Sequence, residues 1–246
     1  MMRHQKIAAT FGAVANQYEQ RAEVQRYAAE ALTRRIKRLD LPATPLILEI
    51  GCGSGLVSRP LLRHYPKGRF LLTDLSLAMI QAAQRQNGHE GNIWYAVMDG
   101  ERPSVAAGFD LIFSGLTWQW FQDPLGSFAR LTALLRPGGW LVFSTLGEQT
   151  FQEWRKACES VGIPCGAITH PARSIWESAK TLVEEEILIT RHASALDFLQ
   201  SLQAIGANHP SPGHCPVPGG ALRRLLRRHP AGFNDCYHLL YVSYQA

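Results

Sequence analysis

The sequence predicts an α/β protein, a mostly parallel seven-stranded sheet with helices on both faces. Three observations predict it. Short apolar runs alternate with helical patterns along the chain, as strand–helix–strand crossovers require. The first run, Leu46 to Ile50, is apolar on both faces like a strand inside a parallel sheet, and it leads straight into a glycine-rich turn. Four of the runs end at or near polar residues, Glu49, Asp74, Asp99 and Ser114, and a parallel sheet gathers such ends along one rim where ligands bind.

Each element follows in order. Val24, Ala28, Leu32, Ile36 and Leu39 recur at helical spacing and give one apolar stripe. Ahead of them Phe11 and Tyr18 stand seven apart, so that residues 1–40 read as a helical region able to close over a site. The first strand is Leu46 to Ile50. The second is Phe70 to Thr73, ended by Asp74, with a helix from Leu75 to Gln86 behind it. The third runs from Asn92 to Val97 and ends near Asp99-Gly100; the fourth is Phe109 to Ser114. A helix over Pro124 to Leu135 and a turn at Arg136-Pro137-Gly138-Gly139 precede the fifth, Trp140 to Thr145. Glu184 to Ile189 is apolar enough for a sixth. Ala195 to Gly206 reads as a helix stopped by glycine. A Pro/Gly-rich loop, His209 to Gly220, leads to a basic helix, Ala221 to His229, and a last strand, Cys236 to Tyr244. Roughly forty residues between the last two strands exceed what a hairpin needs. They read as a helical cap, 195–235, over the site end of a single domain spanning 1–246, with 45–145 as its core.

Composition narrows the classes. The chain has 246 residues and a net charge of +5, enough for one α/β domain with additions. No apolar run approaches the ~18 residues of a membrane span. The opening Met1-Met2-Arg3-His4-Gln5-Lys6 does not read as a secretory signal. Five cysteines (Cys52, Cys158, Cys165, Cys215, Cys236) show neither a CxxC pair nor zinc spacing. They suit reduced thiols in a cytoplasm, and no metal is expected. Arginines cluster at 34–38 and 223–228. Either cluster alone is a solvated helix face; together they suit an acidic macromolecular partner. No nucleic-acid motif accompanies them.

The glycine turn carries the chemistry. In Glu49-Ile50-Gly51-Cys52-Gly53-Ser54-Gly55 small residues let the backbone bend sharply and approach a ligand. A dinucleotide fingerprint wants a glycine where Leu56 stands, which disfavours a nicotinamide oxidoreductase. Asp74, at the tip of the neighbouring strand, can accept from both hydroxyls of a ribose. An acidic residue followed by G-x-G-x-G resembles the S-adenosylmethionine loop of class I methyltransferases, and so do Phe-Asp-Leu-Ile at the fourth strand and Pro-Gly-Gly before the fifth. The resemblance implies the Rossmann-like class I fold, S-adenosyl-L-methionine as cofactor, and cofactor contacts from Tyr18, Glu49, Gly51, Cys52, Gly53, Gly55, Asp74, Leu75, Met79, Asp99, Gly100 and Ser114, with Asp99 on the adenine.

The segments outside the core point to an acceptor. Gly115-Leu116-Thr117-Trp118-Gln119-Trp120 follows the fourth strand and so faces the reacting centre, with its tryptophans as a pocket wall. Phe11 through Tyr18 with Ala22 and Gln25, Gln119-Trp120, Phe143 to Gly147, Ser201-Leu202 with Ile205-Gly206-Ala207, and Tyr237 to Tyr241 resemble the malonyl-acyl-carrier-protein O-methyltransferases of biotin synthesis over nearly the whole chain. The resemblance implies methylation of the free carboxylate of malonyl-acyl-carrier protein, with no catalytic general base. It implies an acidic carrier as partner, no nucleic acid and no membrane, and substrate contacts from Phe11, Tyr18, Leu116, Trp118, Gln119 and Gln200. In that family an arginine stands where this chain has Gln200, so a cation is expected elsewhere, with Arg173, Lys180, Arg191 and Arg223 as candidates. A methyltransferase for a small free acid and a non-catalytic protein that binds the same cofactor are the alternatives.

Overall fold

In the computed structural model, residues 3–15, 18–211 and 213–246 are described; Met1, Met2, Asn16, Gln17 and Pro212, which fall in the expected lid and cap, lie outside them. Three helices open the chain: α1 (Arg3–Val14), α2 (Tyr18–Arg21) and α3 (Glu23–Ile36). The core then alternates β1 (Leu46–Ile50), α4 (Ser58–His64), β2 (Arg69–Asp74), α5 (Leu77–Asn87), β3 (Ile93–Val97), β4 (Phe109–Gly115), α6 (Pro124–Thr132) and β5 (Leu135–Leu146). After it come α7 (Gln152–Glu159), β6 (Thr181–His192), α8 (Ala195–Ala204), α9 (Gly219–Arg228) and β7 (Phe233–Gln245).

One seven-stranded sheet has the order β3-β2-β1-β4-β5-β7-β6. Strands β1 to β5 pair in parallel, and β7 lies antiparallel between β5 and β6. Side chains alternate across it. Ile47, Leu111, Phe113, Val142 and Leu239 pack on one face with α3, α4 and α5. Leu48, Ile112, Leu141, Phe143 and Leu240 pack on the other with α6 and two aromatic turns. The stripe read in the sequence is the buried face of α3, where Leu32 and Ile36 are wholly inaccessible.

Three sequence-based boundaries change, the first being the helix read from Pro124 to Leu135, which ends at Thr132 so that Leu135 opens β5. The Arg136-Pro137-Gly138-Gly139 turn is part of β5. Its extra residues bulge, because Phe109 pairs with Leu135 and Leu111 already with Trp140, and the Ala246 backbone bonds to Gly138 and Gly139 from the other side. The sixth strand spans twelve residues because β7 pairs with it from end to end. As an edge strand it leaves Leu182 and Ile189 largely exposed, so its alternation is weak in sequence.

The insert between β6 and β7 begins and ends at one place. His192 pairs with Phe233, the Gly232 N–H donates to the Ala193 carbonyl at 2.7 Å, and the Ala195 N–H to that of His229. Helices α7, α8 and α9 share a satellite core of Trp154, Phe198, Leu225 and Phe233. The Ser194 hydroxyl caps α8 by accepting from the Asp197 N–H.

Candidate active site

A cavity opens beyond the carboxyl ends of β1, β2 and β4. It lies where the strand order reverses between β1 and β4, the switch point at which open α/β sheets bind ligands. The turn after β1 is shaped by its neighbours. Gly51 has φ +70°, and a Cβ there would lie 2.2 Å from Thr117 Oγ1, so only glycine fits beneath the β4 loop. The Cys52 N–H donates to the Thr73 carbonyl. The Gly53 N–H donates to Asp74 Oδ2 at 2.9 Å, and the Ser76 N–H to Oδ1 at 2.8 Å. Asp74 therefore ties the glycine turn to the end of β2. Burial pushes its carboxyl up, and these N–H groups oppose the shift.

Glu49 is 1% exposed and its Oε2 has no hydrogen-bond partner. Burial first, and the charge of Asp74 second, push it well above the usual carboxylate range, against an opposing hydrogen bond from Ser58. A buried, unsatisfied carboxyl beside an empty volume suits a cationic ligand. Burial likewise pushes up the Cys52 thiol, and burial with Asp74 keeps the Tyr18 phenol protonated. Asp99 and Gly100 close the far wall. A Cβ on Gly100 would meet Ile50 Cγ2 at 2.3 Å, and Asp99 Oδ1 accepts from the Glu101 N–H in a local turn.

A second cavity adjoins the first, and Phe11, Tyr18, Gln25, Leu116 and Trp120 line both. The rings of Phe11 and Trp120 meet edge to face at 5.4 Å. Arg59 of α4 pairs with Glu19 at 2.7 Å, which holds α2 against the core. Leu116 adopts φ +46°, a left-handed conformation that costs a non-glycine residue about 1 kcal/mol and concentrates at functional sites. It is held by its N–H, which bonds to Ser144.

The cavities gather most of the expected residues. Tyr18, Glu49, Gly51, Cys52, Gly53, Asp74, Leu75, Met79, Asp99 and Gly100 line the first, with Phe11 and Leu116; Gln119 lines the second. Four do not fit. Gly55 lies outside because its φ of +95° serves a close approach to Asn87. Ser114 is wholly buried, its hydroxyl donating to the Ile50 carbonyl, so it ties β4 to β1. Trp118 is core, not wall: it is 2% exposed and stacked at 3.9 Å on Phe143. Gln200 is exposed on α8 and reaches neither cavity. Nor do Arg173, Lys180, Arg191 or Arg223; Arg173 is occupied with Glu177 and Glu185. Sequence reasoning missed Trp154, His170, His209 and His214 in the second cavity. They come from α7 and from loops without periodicity, where no local pattern marks them.

Among the described residues no helix is long and apolar enough to cross a membrane, and no cluster of three or more His, Cys, Asp or Glu could hold a metal ion.

This fold and this cleft define a class I methyltransferase, and the family model described as a methyltransferase domain matches residues 48–143. The chain belongs to the malonyl-[acyl-carrier protein] O-methyltransferase family. It is 39% identical to the protein of that name from Magnetococcus marinus over 98% of this chain and 93% of the relative. It is 40% identical to the biotin biosynthesis bifunctional protein BioCD of Bordetella avium over 90% of this chain, spanning about half (48%) of that longer protein. The fold is shared with the plantazolicin methyltransferase BpumL, solved with SAH, at 17% identity and a TM-score of 0.52, covering 97% of this chain and 95% of that one.

Proposed function

We propose that the chain transfers a methyl group from S-adenosyl-L-methionine to the free carboxylate of a malonyl group borne by an acyl-carrier protein, in keeping with its relatives' names, and so gives the methyl ester that enters fatty-acid elongation toward pimeloyl for biotin synthesis. The observation that carries this reading is the pair of adjoining cavities. The first offers a cation an unsatisfied buried acid, Glu49. The second is lined, among the described residues, by no acid that would repel a carboxylate.

The first cavity fits the donor. The glycine turn and Glu49 would hold its amino-acid end, Asp74 its ribose, and Asp99, Leu75 and Met79 its base. When bound, the donor's sulfonium supplies an electrophilic methyl group and departs as S-adenosylhomocysteine. The chain's own residues do the rest. A carboxylate of ordinary pKa is already ionised at pH 7, so no general base is required. Tyr18, protonated at neutral pH, lines both cavities. Phe11, Trp120 and Leu116 wall that junction and exclude water, which otherwise solvates the nucleophile. Orientation is then the main contribution, through α1 and α2 above and the insert's helices to the side. Residues 1–40 act as the lid, 45–145 as the donor-binding core and 195–235 as the acceptor cap.

An acidic carrier suits α9, whose Arg223, Arg224 and Arg227 are exposed. Five free cysteines suit a reducing cytoplasm. The test is mass spectrometry of malonyl-carrier protein after incubation with the enzyme and donor, with succinyl-carrier protein and malonyl-CoA alongside. A gain of one methyl on malonyl-carrier protein is the expected result. Methylation of soluble acids alone would move the assignment to a small-acid enzyme, and binding of the donor without turnover of any acid would make the chain a non-catalytic binder.

A further inference from the structure

The second cavity contains a buried histidine that no hydrogen bond accounts for. His170 is 6% exposed, lines the cavity, and has an enclosed Nδ1 without a partner. A buried polar atom left this way costs stability unless something that enters the site satisfies it. Burial, and then the charge of Arg155, push the imidazole down to about 4. The ring is therefore neutral at pH 7 and carries one N–H donor.

Arg155 stands behind the same wall. Its Nη2 donates to the carbonyl of Ile168, a lining residue, at 2.7 Å, and its Nε to that of Thr150 at 3.3 Å. Among the described residues it enters no ion pair. At His170 the charge felt is that of Arg155, whereas at Cys165 on the same wall the charge of Asp235 opposes it. No Asp, Glu, Lys or Arg is among the described lining residues. An anion beside His170 meets the field of Arg155 and, with the imidazole proton on Nδ1, a spare donor, and no Asp or Glu lines the space with it among the described residues.

We propose that His170, backed by the charge of Arg155, receives the free carboxylate of the acceptor. This rests on the carboxyl-methylation reading above and supplies the recognition expected at Gln200. The choice of a neutral donor has a chemical rationale. A bidentate guanidinium clamp occupies both carboxylate oxygens. A single N–H holds one and leaves the lone pairs of the other free to attack.

The test compares carrier protein bearing a malonyl group with carrier bearing an acetyl group, which has the thioester but no carboxylate, for binding to the full chain. Wild type prefers the malonyl form. His170→Phe keeps the ring's bulk, removes the orphaned polar atoms and is expected to fold. It loses the malonyl preference by on the order of tenfold to a hundredfold, the range for a hydrogen bond to a charged group, and leaves acetyl-carrier binding unchanged. Arg155→Met, an independent variant, reduces the same preference. An intact preference in a folded His170→Phe, or equal weakening of both carriers, would overturn the assignment; should that variant not fold, an intact preference in Arg155→Met does so instead. Binding is the readout, so a wild type that selects malonyl-carrier without methylating it sinks the reaction and leaves His170 in place. Methylation with the preference intact in the variants does the converse.

Discussion

Glu49 is the residue proposed to meet the donor's charge. In the empty protein it stays protonated above the usual carboxylate range. A cationic ligand favours its ionised form, so binding releases a proton. Affinity then rises with pH between the usual carboxylate value and the raised one. Isothermal titration in two buffers of different ionisation heat measures that proton, and Glu49→Gln abolishes both its release and the pH slope. Folding has the opposite sign: an acid raised in the folded state supports stability below its unfolded pKa, and that support is lost as pH rises through the raised value. The sequence revealed the residues whose identity backbone geometry dictates. Gly51, Gly53 and Asp74 were legible because a turn of positive φ and a carboxylate accepting N–H bonds need those types. Trp118 and Trp120 were indistinguishable, since two tryptophans one residue apart on a 3₁₀ turn differ only in which side of it they face. One is buried on Phe143 and the other meets Phe11. His170 lay in a stretch whose partners are distant in sequence, and no spacing betrays it.

At the level of elements, α9 is the clearest case of division of labour. Leu225, with Leu222 and Leu226, packs into the core of Trp154 and Phe198, Ala221 is buried, and the arginines stand exposed. Replacing Arg223, Arg224 and Arg227 by Glu raises KM for an acidic carrier by about tenfold or more at low salt. The effect shrinks as ionic strength shortens the Debye length, and KM for a small acid stays unchanged. Steady-state kinetics at two salt concentrations measure it. The run of arginines after a Pro/Gly-rich loop made α9 legible within two residues. Helices α4 and α7 were not, because at seven and eight residues they give too few turns for a period to show.

The whole molecule hangs on a sheet whose parallel half presents the donor site and whose antiparallel edge presents the insert. Beneath the site, Trp118 packs with Phe121, Phe128, Phe143 and Trp176 in one aromatic cluster. Trp118→Ala therefore lowers global stability by about 3–5 kcal/mol, measured as a drop in the denaturant midpoint, and His170→Phe does not. Alternating strand and helix patterns revealed a parallel sheet with right-handed crossovers, but not its strand order, which such alternation leaves open. The adjoining of two cavities was beyond such patterns, because it depends on how α1, α2 and the 193–232 excursion lean over the rim. That excursion leaves and rejoins the scaffold through paired neighbours, His192 and Phe233. Both its feet stand on the same plank of the sheet. An exchange of the 193–232 excursion for a relative's, joined at those two neighbours, is therefore expected to leave the strand order and the glycine turn intact, measured as an unchanged denaturant midpoint.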